Sequence, residues 1–269
     1  MPTVQLFVTC LIDTFFPHIG EAMVNVLNRA GVNVDFPATQ TCCGQPAFNA
    51  GLRMDARAMA MHTIRVFERP PRSSRHRPRR GSTPEGGKTS EVLPVIVPSG
   101  SCAYMIRHGY LELFADNPAW LPRAKSLAAR TFEFSEYLVD ALGVTDVGAG
   151  WDGRLTYHSS CHLLRGLGVD RQPRALLAAV RGAEIVELPH VDECCGFGGV
   201  FAVEHPELSA EFLKRKIANL EKTGATTLVV ADTGCLMHIQ GGLHHQRTAA
   251  GRRGKSQRVV HIAEVLANQ

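Results

Sequence analysis

Long apolar runs are missing from this 269-residue sequence. No window reaches about 18 uncharged apolar residues, which excludes a membrane-spanning helix. The first residues, Met1 to Cys10, lack a basic region and a small-residue cleavage site, so no signal peptide is expected and the expected compartment is the cytosol. No G-x-G-x-x-G turn is present. Gly196-Phe-Gly-Gly199 follows a cysteine pair instead, so neither a flavin nor a nicotinamide site is expected in this chain. A Ser–His–acid signature is missing too, and so are the C-x₂₋₄-C knuckles that mark structural zinc.

What remains is the composition of a folded soluble protein, 45% hydrophobic and 20% charged. The length suits roughly two domains of 100–150 residues. The net charge of +4 sits in one segment. Residues 69–91 hold seven basic residues (Arg69, Arg72, Arg75, Arg77, Arg79, Arg80, Lys88) against Glu85 and Glu91. Without them the body carries a net charge of −1. The segment also holds four prolines and three glycines and no apolar run, which reads as a loop insertion. A basic stretch of this kind can dock an acidic partner or nucleic acid. No aromatic residue or nucleic-acid-binding motif accompanies the charge, so a solvated insertion is the expectation and no nucleic-acid partner is expected.

The eight cysteines form two quartets of one design. The first runs Cys10, then Cys42-Cys43-Gly44, then Cys102. The second runs Cys161, then Cys194-Cys195-Gly196, then Cys235. The stretch from the lone cysteine to the pair is nearly the same in both, Cys10 to Cys42 and Cys161 to Cys194. The stretch from the pair to the last cysteine is longer in the first quartet, Cys43 to Cys102 against Cys195 to Cys235. The basic segment lies in that longer gap and accounts for its excess, so the chain repeats itself. Other features repeat in the same order. Strand-like runs, Val4–Val8 and Leu155–Tyr157, lead into the first cysteine. Helical patterns follow at Ile19–Ala30 and Pro173–Val180, then short strands at Val32–Val34 and Glu184–Leu188. After each Cys-Cys-Gly turn come helices at Ala56–Phe67 and Pro206–Lys222. Apolar strands then run over Val92–Val97 and Thr227–Ala231, and closing helices over Glu133–Leu142 and His261–Leu266. This alternation predicts an α/β protein of two tandem halves, residues 1–150 and 151–269. Its strands should be mostly parallel, with cysteines at strand C-terminal ends and in loops.

Four explanations compete for the quartets. Buried thiols are ordinary core residues, but chance does not place eight in a repeated pattern. A cytosolic chain of this size needs no disulfides. Four thiolates satisfy a tetrahedral zinc ion, and they also complete the terminal coordination of a [4Fe–4S] cube. Spacing alone leaves those two open. Gly44, Gly196, Gly198 and Gly199, with Gly100 and Gly234, would let backbone N–H groups approach the sulfurs, or serve simply as turn residues. Histidines near the cysteines, His158, His162 and His238, are candidates for proton transfer or for packing against a cysteine loop. Arg165 is suited to a substrate carboxylate or a surface ion pair. His244 and His245 read as loop residues.

The segments Thr41-Cys-Cys-Gly-Gln-Pro46, Pro98-Ser-Gly-Ser-Cys-Ala103, Tyr157-His-Ser-Ser-Cys-His-Leu-Leu-Arg-Gly-Leu-Gly168, Glu193-Cys-Cys-Gly-Phe-Gly-Gly199 and Gly234-Cys-Leu-Met237 resemble the cysteine-rich CCG-domain family. That family includes the heterodisulfide reductase B subunit and the glycolate oxidase iron–sulfur subunit. The resemblance is strongest to its lactate-utilisation protein A branch and covers the chain apart from the basic insertion. It implies a cytoplasmic iron–sulfur subunit that passes electrons and works with lactate-utilisation proteins B and C to oxidise L-lactate to pyruvate. Related alternatives are an iron–sulfur subunit acting on glycolate or a thiol/disulfide, and a non-redox zinc scaffold. The implied ligands are Cys10, Cys42, Cys43 and Cys102 for one [4Fe–4S] cluster, and Cys161, Cys194, Cys195 and Cys235 for another. Some family members carry a fifth cysteine in each half. Here Ser99 and Asp232 stand there, which implies four thiolates per site and leaves the two side chains as oxygen ligands, hydrogen-bonding partners or caps. The insertion departs from the branch pattern and puts the first site in question if it deforms the neighbouring strand.

Overall fold

The computed structural model describes residues 1–69, 92–249, 251 and 257–269. Apart from Arg69, the basic insertion lies outside the described residues. The first half runs β1 (Thr3–Leu6), α1 (Cys10–Phe15), α2 (Pro17–Arg29), β2 (Asn33–Asp35), α3 (Gln45–Asn49) and α4 (Arg53–Phe67). It continues with β3 (Val95–Val97), α5 (Gly100–Tyr104), a π-helical turn (Met105–Gly109), α6 (Tyr110–Leu113), α7 (Leu121–Ala128), β4 (Thr131–Glu133) and α8 (Phe134–Glu136). The second half runs β5 (Gly150–His158), a π-helical turn (His162–Leu167), α9 (Arg171–Ala178), β6 (Arg181–Val186), α10 (Phe201–Glu204) and α11 (Pro206–Lys222). It closes with β7 (Thr227–Val230), α12 (Thr233–Ala249), β8 (Arg258–His261) and α13 (Ile262–Ala267).

Each half builds a four-stranded, all-parallel sheet, in the order β2-β1-β3-β4 and β6-β5-β7-β8. The fold is therefore the expected duplicated α/β arrangement. Strands β3 and β7 are buried along their whole length, as their unbroken apolar runs require of a parallel sheet covered on both faces. In both sheets the chain first steps outward to one edge, then jumps back across to the other side of the first strand. That places a topological switch point between β1 and β3, and between β5 and β7. In open parallel sheets the crevice outside the strand C-termini at this point is the binding position.

Several expected elements need adjustment. The fourth strands, β4 and β8, precede the closing helices, and Glu133 and His261 are strand ends and helix N-caps rather than helical residues. Their side chains accept backbone N–H bonds in capping boxes closed by Glu136 and Glu264. His244 and His245 are helical, not loop residues: both lie in α12. The glycine pair before them misleads. A Cβ on Gly242 would come within 2.7 Å of Leu213 Cδ2, so this glycine lets α12 pack closely on α11. The two halves share one core, in which Ile19 and Leu27 of α2 join Leu228 of β7 and Leu266 of α13. Arg29 caps that contact by donating from Nη2 to the Leu266 carbonyl at 2.8 Å.

Candidate metal centres

The switch points are where the cysteines gather. Cys10 opens α1 beyond β1, and Cys102 lies in α5 beyond β3. The Cys42-Cys43 turn supplies the other two sulfurs. Cys10 Sγ is 3.6 Å from Cys42 Sγ, and Cys43 Sγ is 3.4 Å from Cys102 Sγ. Cys42 also bonds Cys43, and Cys102 acts electrostatically on Cys10, so all four thiols are neighbours. The second half repeats this. Cys161 follows β5, and Cys235 stands in the first turn of α12 beyond β7. Cys195 Sγ is 3.2 Å from Cys235 Sγ, and Cys161 and Cys195 both bond Cys194. All eight cysteines are free thiols.

Charge settles on one sulfur of each quartet. The hydrogen bond from Cys10, then that from Cys43, pulls the Cys42 thiol down to about 3, with Gly44 N–H also donating at 3.4 Å. Cys194 is pulled down to about 2 in the same way by Cys161 and Cys195, with Gly196 N–H at 3.3 Å. Cys10 and Cys161 are pushed up by giving those bonds and by burial, and Cys43 and Cys195 rise with them. Four sulfurs this close ionise together only against a compensating cation.

The backbone around the sulfurs is built for close approach. Gly44 and Gly196 adopt φ of +86° and +94°. A Cβ on Gly196 would lie 2.5 Å from the Ser209 carbonyl oxygen. Ser209 Oγ donates to the Gly196 carbonyl at 2.8 Å, tying the turn to α11. In the first half Tyr110 Oη donates to the Cys43 carbonyl at 2.9 Å, and Gln45 Nε2 to that of Ser101 at 3.1 Å. Thr9, just before Cys10, is held at φ +70°, ψ +148°, a region normally left to glycine. Gln40 fixes this strained turn by accepting from Val8 N–H at 2.8 Å and donating to the Leu6 carbonyl at 2.9 Å. None of Thr9, Gln40, Tyr110 and Ser209 stood out in the sequence. Their roles depend on which loops the topology brings together.

Ser99 and Asp232 are partners of each other. Asp232 Oδ2 accepts from Ser99 Oγ at 2.9 Å and from Ser101 N–H at 2.8 Å, across the two halves. Its Oδ1 caps α12 through Gly234 N–H at 3.0 Å and Cys235 N–H at 3.4 Å. One buried carboxylate thus joins the Cys102 loop to the Cys235 loop.

The candidate acid–base residues fall in different settings. His158 is fully buried. His162 is half-buried, with Nδ1 3.9 Å from Cys161 Sγ and its ring 5.3 Å from that of Tyr104. Arg165 is exposed and donates to the Asp192 carbonyl at 2.6 Å. His238 lies 3.3 Å from Ser209 Oγ and beside Phe197. The buried Lys216, unremarked in the sequence, donates to the His190 carbonyl at 3.0 Å behind the second Cys-Cys pair.

The donor set fits a metal group. Soft thiolates are gathered twice, with N–H groups aimed at the two charged sulfurs and unpartnered polar atoms on buried Thr9 and His158 beside them. Fold and site define a duplicated cysteine-rich α/β protein with a thiol quartet at each switch point, and in the second half His158, Cys195 and Cys235 are grouped closely enough to hold a metal ion.

Comparison with known proteins agrees. The chain matches the cysteine-rich CCG domain twice, over residues 4–107 and 155–240. It is 43% identical over 266 residues to lactate utilization protein A of an Exiguobacterium species, spanning 99% of this chain and 97% of that protein. It is 43% identical to the protein of that name from Geobacillus thermodenitrificans, over 98% of both chains. Identity to lactate utilization protein A 2 of Bacillus cereus is 41%, over 98% of this chain and 97% of that one. The chain belongs to the cysteine-rich CCG-domain family, in its lactate utilization protein A branch.

Proposed function

We propose that this protein is an iron–sulfur electron-transfer subunit of a cytoplasmic complex that oxidises L-lactate to pyruvate, with lactate-utilisation proteins B and C as its partners. The single observation that carries this reading is the closure of both thiol quartets at equivalent switch points. The name of its full-length relatives supplies the substrate. We take residues 1–150 and 151–269 as the two domains, each binding one [4Fe–4S] cluster. Cys10, Cys42, Cys43 and Cys102 would hold the first, and Cys161, Cys194, Cys195 and Cys235 the second. When bound, such clusters supply one-electron redox chemistry. The chain's own contribution is to fix the sulfurs on loops anchored by two rigid sheets, to aim the Gly44 and Gly196 N–H groups at Cys42 and Cys194, and to bury Cys43, Cys102, Cys195 and Cys235 while the other four stay partly exposed. Among the described residues no helix is long and apolar enough to cross a membrane.

Anaerobically purified protein should contain about eight iron and eight acid-labile sulfide per chain. Cys195→Ala should keep about half of each and lose the signals of one centre. Unchanged iron in that variant would overturn the ligand assignment. Deletion of the gene should abolish growth on L-lactate, and normal growth would refute the substrate.

A single zinc ion per quartet is the second reading. Three sulfur pairs, Cys10–Cys42, Cys43–Cys102 and Cys195–Cys235, are 3.2–3.6 Å apart, near the edge, about 3.8 Å, of a tetrahedron of sulfurs at the zinc–thiolate distance. Zinc without sulfide, and no EPR signal on reduction, would establish that reading in place of ours.

A further inference from the structure

The two halves differ at the residue three places before the first cysteine of each quartet. The first half has Phe7 there and the second has His158. Both are fully buried. Phe7 packs on Phe67, their ring centroids 5.6 Å apart, and requires no polar partner. His158 ends β5 with neither ring nitrogen hydrogen-bonded. The Val191 carbonyl acts on the ring without completing a bond. An imidazole carries at least one N–H, and leaving it buried without an acceptor is costly. One ring nitrogen and the sulfurs of Cys195 and Cys235 lie within 4.8 Å of one another. No equivalent donor exists at position 7.

We infer that, once the second centre is loaded, His158 donates a hydrogen bond to its sulfur at Cys195 or Cys235, raising the reduction potential of that centre alone. The inference rests on the iron–sulfur reading above. An N–H directed at a cluster thiolate favours the reduced, more negative state. Two charged groups also face this centre. Asp232 acts on Cys161 and Cys235, and Lys216 acts on Cys195 and Cys235. They oppose each other in sign and are left untouched by the test, so the effect of the imidazole can be read separately. His158 is a positioning and tuning residue: it is closed off from solvent and has no access to a substrate.

The test is an EPR-monitored redox titration of the anaerobically purified full chain. Cys195→Ala identifies which signals belong to the second centre. His158→Phe installs the residue of the first half, and His158→Gln keeps an N–H donor. In His158→Phe the reduction equilibrium of the second centre should fall about tenfold, which is 59 mV for a one-electron couple. The first centre should not move, and Gln should recover part of the shift. Pulsed EPR of protein labelled with ¹⁵N-histidine should show a weak nitrogen coupling at the second centre. That coupling should vanish in His158→Phe and persist in His162→Phe. A loaded second centre with unchanged midpoint and unchanged coupling in His158→Phe would overturn the inference. If both His158 variants lose the second centre, the labelled parent decides: no coupling beyond that removed by His162→Phe overturns it. Parent protein with neither iron nor sulfide fails earlier, and refutes the iron–sulfur reading itself.

Discussion

Removing the Asp232 carboxylate should be among the most damaging single changes outside the cysteines. Asp232 is 4% exposed and accepts four hydrogen bonds at 2.8–3.4 Å. Asp232→Ala strands the N–H groups of Ser101, Gly234 and Cys235 and leaves the Ser99 hydroxyl with the Ser101 hydroxyl, 3.0 Å away, as its remaining partner. A buried donor left without a partner costs about 1–3 kcal/mol, and relaxation recovers part of it, so the total is about 3–5 kcal/mol. That is a large fraction of the stability of an ordinary domain. Asp232→Asn is the informative comparison. Its remaining oxygen can keep the α12 cap, while the amide turns N–H groups toward Ser101 N–H, for a loss of about 2 kcal/mol. Ser99→Ala removes the bonds to Asp232 and to the Ser101 hydroxyl and should cost about 1–2 kcal/mol. Urea unfolding followed by circular dichroism ranks the three by midpoint at constant slope. The double variant Ser99→Ala/Asp232→Ala should cost little more than Asp232→Ala alone, since the two groups bond each other. An Asp232→Ala midpoint within about 1 kcal/mol of the parent would refute the assignment of this carboxylate as the link between the halves.

Two further outcomes follow from the same structure. Gly196→Ala puts a Cβ 2.5 Å from the Ser209 carbonyl oxygen at φ +94°; it should cost about 3 kcal/mol and lower iron in the second centre only, measured by unfolding and metal content. Glu133 is fully buried, and burial pushes its carboxyl up to about 7 against the bonds from Ser135 and Glu136. Its folded state therefore binds the proton more tightly than the unfolded chain. The stabilising contribution is complete below about pH 4.5 and is lost as pH rises through 7, by up to about 3 kcal/mol. Glu133→Gln should flatten that fall between pH 4.5 and 7, and a parallel pH profile would refute it.

The parts of this fold that were legible in the sequence are those with a strong local signal. Val95–Val97 and Thr227–Val230 are buried strands because they are unbroken apolar runs. Pro206–Lys222 is a helix with proline at its start. Strands β4 and β8 were hidden because three or four residues carry little periodicity and run straight into helices. Helix α12 was hidden because Gly241-Gly242 and two histidines read as a loop, and only the approach of Leu213 explains Gly242. The eight sulfurs were visible as a repeat, whereas Gln40, Tyr110, Ser209 and Lys216 were not. Each of these bonds a backbone group that is remote in sequence, so its role exists only once the topology is set.

That topology also explains how the first half carries an insertion beside a site. In a parallel sheet every helix-to-strand connection enters at the N-terminal end of a strand, and every strand-to-helix connection leaves at the other end. Cys10 and Cys102 sit on connections leaving β1 and β3, and Cys42-Cys43 lies on the one leaving β2. The basic segment falls between α4 and β3, on an entering connection. Its described flank, Arg69, lends its carbonyl to Gln5 Nε2 at 3.3 Å, while β3 keeps its register with both neighbours, Val95 opposite Gln5 and Thr131. The extra length is thus attached at the end of the sheet opposite the sulfurs, and the first quartet closes as tightly as its bonds require, 3.4–3.6 Å. The longer path from Cys43 to Cys102, against that from Cys195 to Cys235, thus leaves the described chain after α4 and rejoins it before β3, away from the cysteine-bearing connections, and the two quartets share one design.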